Sequence, residues 1–318
     1  GKPADVRERI SQHAQFLAAV CGRAPYLAEL CRKQPSFLAG VLHDGPDSAA
    51  DKCLARVRAA GQQLEEQERL SAELRAAKAQ MALLCALAEI GGVWSTERAT
   101  CALSDLADAA LHAGLEFLVV DAARRNRLSV GHSRWTAANC GLAIFALGKH
   151  GGQELNFSSD IDIVAFFDPA AGVLSEPAEA SLFYSRLVQR LAALMEDRTE
   201  HGYVFRTDLR LRPDPGSTPV ALSIDAALTY YESRGQNWER AAWIKARPCA
   251  GDVRLGESFL AELAPFVWRK HLDFAAIADI QAMKRQINIA RSVGGLRLAG
   301  HNVKLGRGGI REIEFFAQ

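Results

Sequence analysis

The stretch that decides the fold lies at residues 148–168 and reads GKHGGQELNFSSDIDIVAFFD. It begins as a glycine-broken loop and ends as a run of β-branched and aromatic residues, which is typical of a buried strand. Asp160 and Asp162 lie at the start of that strand, although aspartate is depleted in strands and is rarely buried without a partner. Either this end of the strand is solvated, or the two carboxylates hold a ligand.

The flanking segments predict a mixed sheet over about residues 140–248. CGLAIFALG, at 140–148, predicts a central strand that a glycine closes, and YVFRTDLRLRPD, at 203–214, predicts an alternating third strand that ends at Pro213. The segment at 179–196 has amphipathic helical spacing, and Ser223 is a candidate cap for a helix over 223–240. The class expected is α+β.

Helical patterns flank this sheet on both sides. Residues 1–130 are expected to be helical, with Gly91 and Gly92 ending one helix and Ser104 capping the next. One buried stripe in this region consists of Leu70, Leu74, Ala77, Met81, Leu84 and Ala88. We expect a mixed α/β domain at 131–250 and a second helical region at 251–318. The last segment, GGIREIEFFAQ, is a helical pattern without a capping signal, so we expect the polypeptide to continue.

The composition excludes several classes of protein. The chain has 318 residues, 49% of them hydrophobic, and a net charge of +1, which disfavours a protein that coats nucleic acid. It has no apolar run of about 18 residues and no apolar signal-peptide core, so we expect neither a membrane span nor secretion. The 7 cysteines include no CxxC pair, which favours reduced thiols in a cytoplasmic protein over disulfides or a zinc site.

The carboxylates form the centre of a predicted metal site. Side chains two apart on a strand share a face, so Asp160 and Asp162 point the same way, as do Asp208 and the arginines around it. Three bunched carboxylates repel one another unless a cation lies among them, and Mg²⁺, with Mn²⁺ as the second candidate, prefers such oxygen ligands. The arginines of that face would serve phosphate oxygens; they are Arg206, Arg210 and Arg212.

Each motif alone has a plainer interpretation. A DxD pair can mark a solvated strand end, and RxDxRxR can be a salt-bridged exposed strand face. The combination is more specific, because an apolar strand is followed by Gly151 and Gly152, which let backbone approach a phosphate, and then by DID within about ten residues. Together they favour phosphoryl or nucleotidyl transfer.

Other segments leave alternatives open. In YYESRGQNWERAAWIKARP, at 230–248, the aromatic residues Tyr231, Trp238 and Trp243 suit the helix core better than base stacking. Lys245 and Arg247, which follow in a strand-like segment, are either phosphate contacts or solvated charges. NVKLGRGG resembles a glycine-rich anion-binding turn with Lys304 at its edge, although it lacks the ending of a P-loop. None of the 8 histidines is predicted to be a ligand.

The motif GGxxxxxxxDID resembles the active-site signature of the DNA polymerase β-like nucleotidyltransferase superfamily. More specifically, four blocks across about residues 147–318 resemble the bacterial glutamine synthetase adenylyltransferase family, whose bifunctional members add AMP to glutamine synthetase and remove it. They are GKHGGQELNFSSDIDIV, VFRTDLRLRPD, YYESRGQNWERAAWIKARP and NVKLGRGGIREIEFFAQ. Residues 1–130 match only in helical character. His150 departs from the pattern, since an apolar residue is expected there, and RSVGGLRLAGHN at 291–302 is less basic than expected.

The resemblance implies a reaction and a set of residues. The blocks look like the adenylyl-removing domain, in which inorganic phosphate attacks an adenylylated tyrosine of glutamine synthetase and ADP is released. The implied metal ligands and catalytic residues are Asp160, Asp162 and Asp208. The implied contacts to nucleotide or phosphate are Lys149, Gly151, Gly152, Ser159, Arg206, Arg210, Lys245, Arg247, Lys304 and Arg311.

The resemblance also sets the expected partners and the rivals. The partners are glutamine synthetase, phosphate and ADP, with a PII-type signal protein as a further candidate, and neither nucleic acid nor membrane; we expect a monomer. Rival functions are the adenylyl-adding half of the same enzyme, a polymerase or tRNA nucleotidyltransferase, and a non-catalytic regulatory module of the same fold. The near-neutral charge disfavours a nucleic-acid substrate, and the intact carboxylates disfavour a non-catalytic module.

Overall fold

The computed structural model describes residues 3–129, 134–174, 176–200, 202–268, 301–304, 306, 308–310 and 313–314. These residues form the α+β fold that the sequence predicts, with helices before and after a mixed sheet. Among the described helices, none is both long and apolar enough to cross a bilayer. The N-terminal helices are α1 (Pro3–Gln12), α2 (Ala14–Cys21), α3 (Pro25–Lys33), α4 (Pro35–Asp44), α5 (Pro46–Gln63), α6 (Gln67–Ile90) and α7 (Thr96–Arg124).

Helix α6 agrees with the sequence prediction, whereas the predicted start of α7 does not. The predicted stripe along α6 is buried throughout, and α6 ends at Ile90, directly before the expected glycine stop. The prediction that Ser104 caps a helix is wrong, because α7 starts at Thr96 and Ser95 caps it by accepting the Arg98 N–H. Ser104 is instead buried inside α7, where its hydroxyl donates to the Thr100 carbonyl and accepts the Leu155 N–H from the sheet region.

Five strands form the mixed sheet. They are β1 (Leu142–Leu147), β2 (Ile161–Phe167), β3 (Thr207–Asp208), β4 (Ala221–Ser223) and β5 (Arg247–Gly251). The order is β3-β2-β1-β5, and β4 also pairs with β2. β1 is antiparallel to β2 and β5, whereas β3 and β4 run parallel to β2. The connecting helices are α8 (Gly148–Gly151), α9 (Ala180–Glu196), α10 (Ile224–Ser233), α11 (Asn237–Trp243) and α12 (Val253–Val267).

The strand alternation assigns each face of the sheet to a different core. Ile144 and Ile163 belong to a cluster of buried side chains shared with α5–α7 and α9, whereas Phe145 and Phe166 face α10–α12. On that second face, the rings of Phe145, Phe166 and Trp243 lie 5.4–5.9 Å apart. Because the first cluster runs from the N-terminal helices into the sheet, the expected boundary at residue 130 is not a break in packing. The division into three regions stays a prediction.

Two further predictions about this region are wrong. The strand expected over 203–214 is only two residues long, because the chain turns at Asp208, whose Oδ1 accepts the Arg210 N–H 2.9 Å away. Arg212 does not continue a strand face either, since its guanidinium donates to loop carbonyls including those of Leu209 and Pro215. Trp238 is 36% exposed and so is not the core residue that was expected, whereas Tyr231 and Trp243 are buried as predicted.

Candidate functional site

Three carboxylates meet at one end of the parallel pair β2–β3. Asp162 and Asp208 are direct partners in the register of these strands, which lie about 4.8 Å apart in a sheet. Asp160 precedes β2 and forms an ion pair with Arg206, which lies directly before β3. The structure therefore brings together the three residues that the sequence singled out, and the register of a parallel pair is what aligns two of them.

Within this cluster, the negative charge of Asp162 is only partly compensated by neighbouring positive groups. Burial, and then the negative charges of Asp208 and Asp160, raise the pKa of Asp162 to about 6, against weaker opposing effects of Arg210 and Lys304. Asp208 differs, because its hydrogen bonds to Arg210 lower its pKa. Crowded carboxylate oxygens whose charges repel one another are a donor set that fits a divalent cation such as Mg²⁺ or Mn²⁺.

Gly148 brings the loop after β1 against Asp162. Its φ is +56°, and a Cβ at this position would lie 2.7 Å from Asp162 Oδ2. Both the left-handed backbone and the close approach therefore require glycine. Sequence analysis did not select Gly148 as a site residue, although a glycine that directly follows an apolar strand and begins GKHGG was a usable signal.

A partly buried ion pair between α7 and β5 fixes the position of α8. Asp108, on α7, accepts from Arg247 Nη1 at 2.6 Å and Nη2 at 3.1 Å. The same guanidinium donates to the carbonyls of His150 and Gly151, both at 3.2 Å. The nitrogens of Arg247 are thus engaged in fixing the α8 turn, and the phosphate contact predicted for this residue stays a prediction. Asp108 was missed because nothing in its local helical sequence distinguishes it from a solvated residue.

His150 completes this network. It is fully buried, and its Nε2 lies 2.7 Å from Asp108 Oδ1. Burial lowers the pKa of His150, although Asp108 acts in the opposite direction. Asp108, His150 and Cys249 offer ligand atoms within 4.8 Å of one another, but Arg247 already pairs with both Asp108 oxygens. The cluster is therefore an ion-pair network, and it explains why a polar residue stands where the family pattern suggests an apolar one.

Among the remaining predicted site residues, two glycines and four side chains are already engaged within the protein. Gly151 is buried against the Lys245 carbonyl, 2.3 Å from where a Cβ would be, so packing already explains this glycine, and Gly152 approaches the Lys245 side chain. Others are paired within the protein: Lys245 with Glu154, Arg206 with Asp160, Arg210 with Asp208, and Ser159 with Asn156.

Two lysines remain available to a ligand. Lys149 is half-buried, and its ammonium has no hydrogen-bond or ion-pair partner within the described part of the chain. Lys304 is exposed and close enough to Asp162 to oppose its raised pKa. Arg311 lies outside the described residues. The phosphate contacts predicted for these residues stay predictions.

Comparison with known proteins identifies the family. The family model for glutamate-ammonia ligase adenylyltransferase matches residues 14–262. The chain belongs to this family. A second model, GlnD PII-uridylyltransferase, matches residues 278–318.

Curated relatives agree with this assignment. Proteins of Xanthobacter autotrophicus, Bradyrhizobium diazoefficiens and Brucella suis are 52%, 50% and 47% identical over 309, 303 and 306 residues. Each is a bifunctional glutamine synthetase adenylyltransferase/adenylyl-removing enzyme, and the matches cover 96%, 95% and 96% of this chain but 31%, 30% and 31% of the relatives. The chain thus spans about a third of their length.

Proposed function

We propose that this chain is a metal-dependent nucleotidyltransferase that removes AMP from an adenylylated tyrosine of glutamine synthetase by phosphorolysis. The observation that carries the proposal is the in-register pair of Asp162 and Asp208 with Asp160 beside it. The relatives' name includes both adenylyl transfer and adenylyl removal. The choice of removal rests on the resemblance of the sequence blocks to the adenylyl-removing domain.

Asp160, Asp162 and Asp208 would hold the divalent cation. When bound, such an ion neutralises negative charge and polarises phosphoryl oxygens. The arginines next to these carboxylates would then serve the phosphate groups. Arg210 is suited to this because its side chain is 83% exposed and its partner, Asp208, would gain the cation in its place. Lys304 adds positive charge near Asp162, which lowers the repulsion between two anionic reactants.

The proposed reaction needs little proton transfer. An oxygen of inorganic phosphate forms a bond to the α-phosphorus of the adenylyl group, and the bond from that phosphorus to the tyrosine oxygen breaks. The products are ADP and a tyrosine phenolate, which takes a proton from water. A phenol has a pKa of about 10, so it leaves more readily than an aliphatic alcohol. The chain's contribution is therefore positioning and charge, with no covalent intermediate.

The alternative is the adenylyl-adding half of the same enzyme. The adenylyltransferase activity in the relatives' name supports it, and the same three carboxylates would serve transfer of AMP from ATP to tyrosine. The third candidate function is that of a non-catalytic regulatory module. For each of these functions, a PII-type signal protein is a proposed regulator.

One assay separates these functions. The chain is incubated with adenylylated glutamine synthetase, Mg²⁺ and phosphate, and ADP is measured; in parallel it is incubated with the unmodified enzyme and ATP, and AMP incorporation is measured. We expect ADP in the first reaction and no incorporation in the second. The reverse result would assign the chain to the adding half, and activity in neither would favour the non-catalytic module. Asp208→Asn should abolish whichever activity is found.

A further inference from the structure

A cleft of about 760 Å³ opens beside the carboxylate cluster, between the N-terminal helices and the chain that leads into β3. Helices α3 and α6 form one wall, and residues 157–159 and 202–205 form the other. Arg75 joins the two walls, since its guanidinium donates to the Gly202 carbonyl at 2.9 Å and to the Asp197 carbonyl at 2.5 Å. The cleft is therefore a fixed feature of the fold, and its volume is that of a ligand site.

Aromatic side chains line its mouth. Tyr26 is 58% exposed and Phe157 is 42% exposed, although both are large side chains that favour burial. Tyr203 lies near Tyr26, because its charge contributes to the raised pKa of the Tyr26 phenol. Exposed aromatic residues that converge on one cleft are characteristic of surfaces that bind polypeptide.

A lysine without a counterion lies in the cleft wall. The Lys78 ammonium is 3.8 Å from the centroid of the buried Phe205 ring, and within the described residues no carboxylate or carbonyl pairs with it. Burial lowers the pKa of Lys78 to about 8. A cation–π contact offsets only part of the cost of removing an ammonium from water, so this position favours an anionic ligand group.

The cleft is continuous with the carboxylate cluster through Arg206. That guanidinium bonds Asp160 on one side, and on the other it donates to the Tyr203 hydroxyl at 2.8 Å and the Ser158 carbonyl at 2.6 Å. Tyr203 and Ser158 both line the cleft. A substrate whose phosphoryl group lies at the carboxylates and which extends past Arg206 therefore enters the cleft.

We propose that this cleft binds an acidic polypeptide segment next to the modified tyrosine of the protein substrate, and that Lys78 pairs with a carboxylate of that segment. The identity of the substrate rests on the proposed function above. The acidic character rests on the unpaired ammonium, and the polypeptide character on the exposed aromatic residues at the mouth of the cleft.

A direct binding measurement tests the cleft independently of catalysis. Two fluorescent heptapeptides with a central tyrosine, one flanked by glutamates and one by glutamines, are titrated with the full chain and followed by anisotropy. For the wild type we expect the glutamate peptide to bind about tenfold more tightly, and we expect Lys78→Met to remove that difference. Lys78→Arg should restore part of it. Lys52→Met is the matched control, since Lys52 pairs with Asp44 elsewhere in the N-terminal helices.

Two further measurements keep the test decisive if Lys78→Met does not fold or if the cleft binds nucleotide. If Lys78→Met fails to fold by circular dichroism, Tyr26→Ser at the exposed rim replaces it and should weaken both peptides. AMP is titrated in parallel, and a Lys78-dependent affinity for AMP without discrimination between the peptides would assign the cleft to nucleotide and overturn the proposal. Equal binding of both peptides to the wild type would overturn it as well.

The activity assay separates failure of this inference from failure of the proposed function. If the wild type releases ADP from adenylylated glutamine synthetase, Lys78→Met should raise KM about tenfold, with the loss in KM rather than in kcat. An unchanged KM would contradict the inference while leaving the proposed function intact. Lys78-dependent peptide discrimination in a chain that releases no ADP would support an acidic-peptide site and contradict only the function.

Discussion

Replacing Asp162 by asparagine should stabilise the metal-free protein while abolishing its activity. Asp162 lies between Asp208, its partner across β2–β3, and Asp160, and these charges together with burial raise its pKa to about 6. Asparagine has nearly the same shape but no charge. The substitution therefore removes a repulsion from the apo state and a ligand from the metal-bound state.

The pKa of Asp162 sets the magnitude. The difference between 3.8 and about 6, at about 1.4 kcal/mol for each pKa unit, corresponds to about 3 kcal/mol of destabilisation by the charged form. Between these two values the folded state binds more protons than the unfolded state, so stability falls as pH rises through this window, and the penalty is complete above about pH 6. At pH 7.5 the free energy of unfolding of the variant should thus exceed that of the wild type by up to about 3 kcal/mol, which corresponds to about 5 °C in the thermal midpoint. Near pH 4 the two proteins should be about equally stable.

Unfolding of both proteins in EDTA at pH 4 and pH 7.5, followed by circular dichroism, measures this difference. Asp51→Asn, on an exposed surface of α5, is the control and should change stability at neither pH. Adding Mg²⁺ should raise the midpoint of the wild type, because binding to the folded state alone stabilises it, and should not raise that of Asp162→Asn. The reasoning is refuted if the variant is the less stable protein at pH 7.5 in EDTA, or if it keeps wild-type ADP release at saturating Mg²⁺.

Three further predictions concern the network behind α8. Asp108→Asn should destabilise the fold by about 1.5–3 kcal/mol in urea unfolding, because it removes the counterion of the partly buried Arg247; a loss below about 0.5 kcal/mol would contradict the ion-pair assignment. Gly151→Ala would place a Cβ 2.3 Å from a backbone carbonyl and should lower the thermal midpoint by several degrees, whereas Gly40→Ala, in open space within α4, should raise it slightly. Burial lowers the pKa of His150, so the unfolded state takes up the proton first, and the free energy of unfolding should fall as pH drops below about 6.5. His150→Gln should flatten this pH dependence, and an unchanged pH dependence would contradict the role given to His150.

Local periodicity determined most of the secondary structure around the site. The apolar runs that became β1 and β2, the buried stripe of α6 and the helix α9 were all predictable, because each pattern depends on residues a few positions apart. The same reasoning placed Asp160 and Asp162 on one face and selected Asp208 as their companion. The four sequence blocks also indicated the family that the comparisons then showed.

Only the tertiary structure decided how those residues are arranged and held. The register that sets Asp162 opposite Asp208 joins residues 46 positions apart, and the bond from Arg247 to Asp108 joins residues 139 positions apart. No local pattern encodes such contacts, since they depend on how the strands pair and on how α7 packs against β5. The predicted length of the third strand was wrong for a related reason. The alternating pattern continues past Asp208, but the Asp208 carboxylate accepts a hydrogen bond from the Arg210 N–H, and the chain turns there. Ser104 had the sequence of a helix cap and became a buried tie to the sheet region, because packing against Leu155 decided its position.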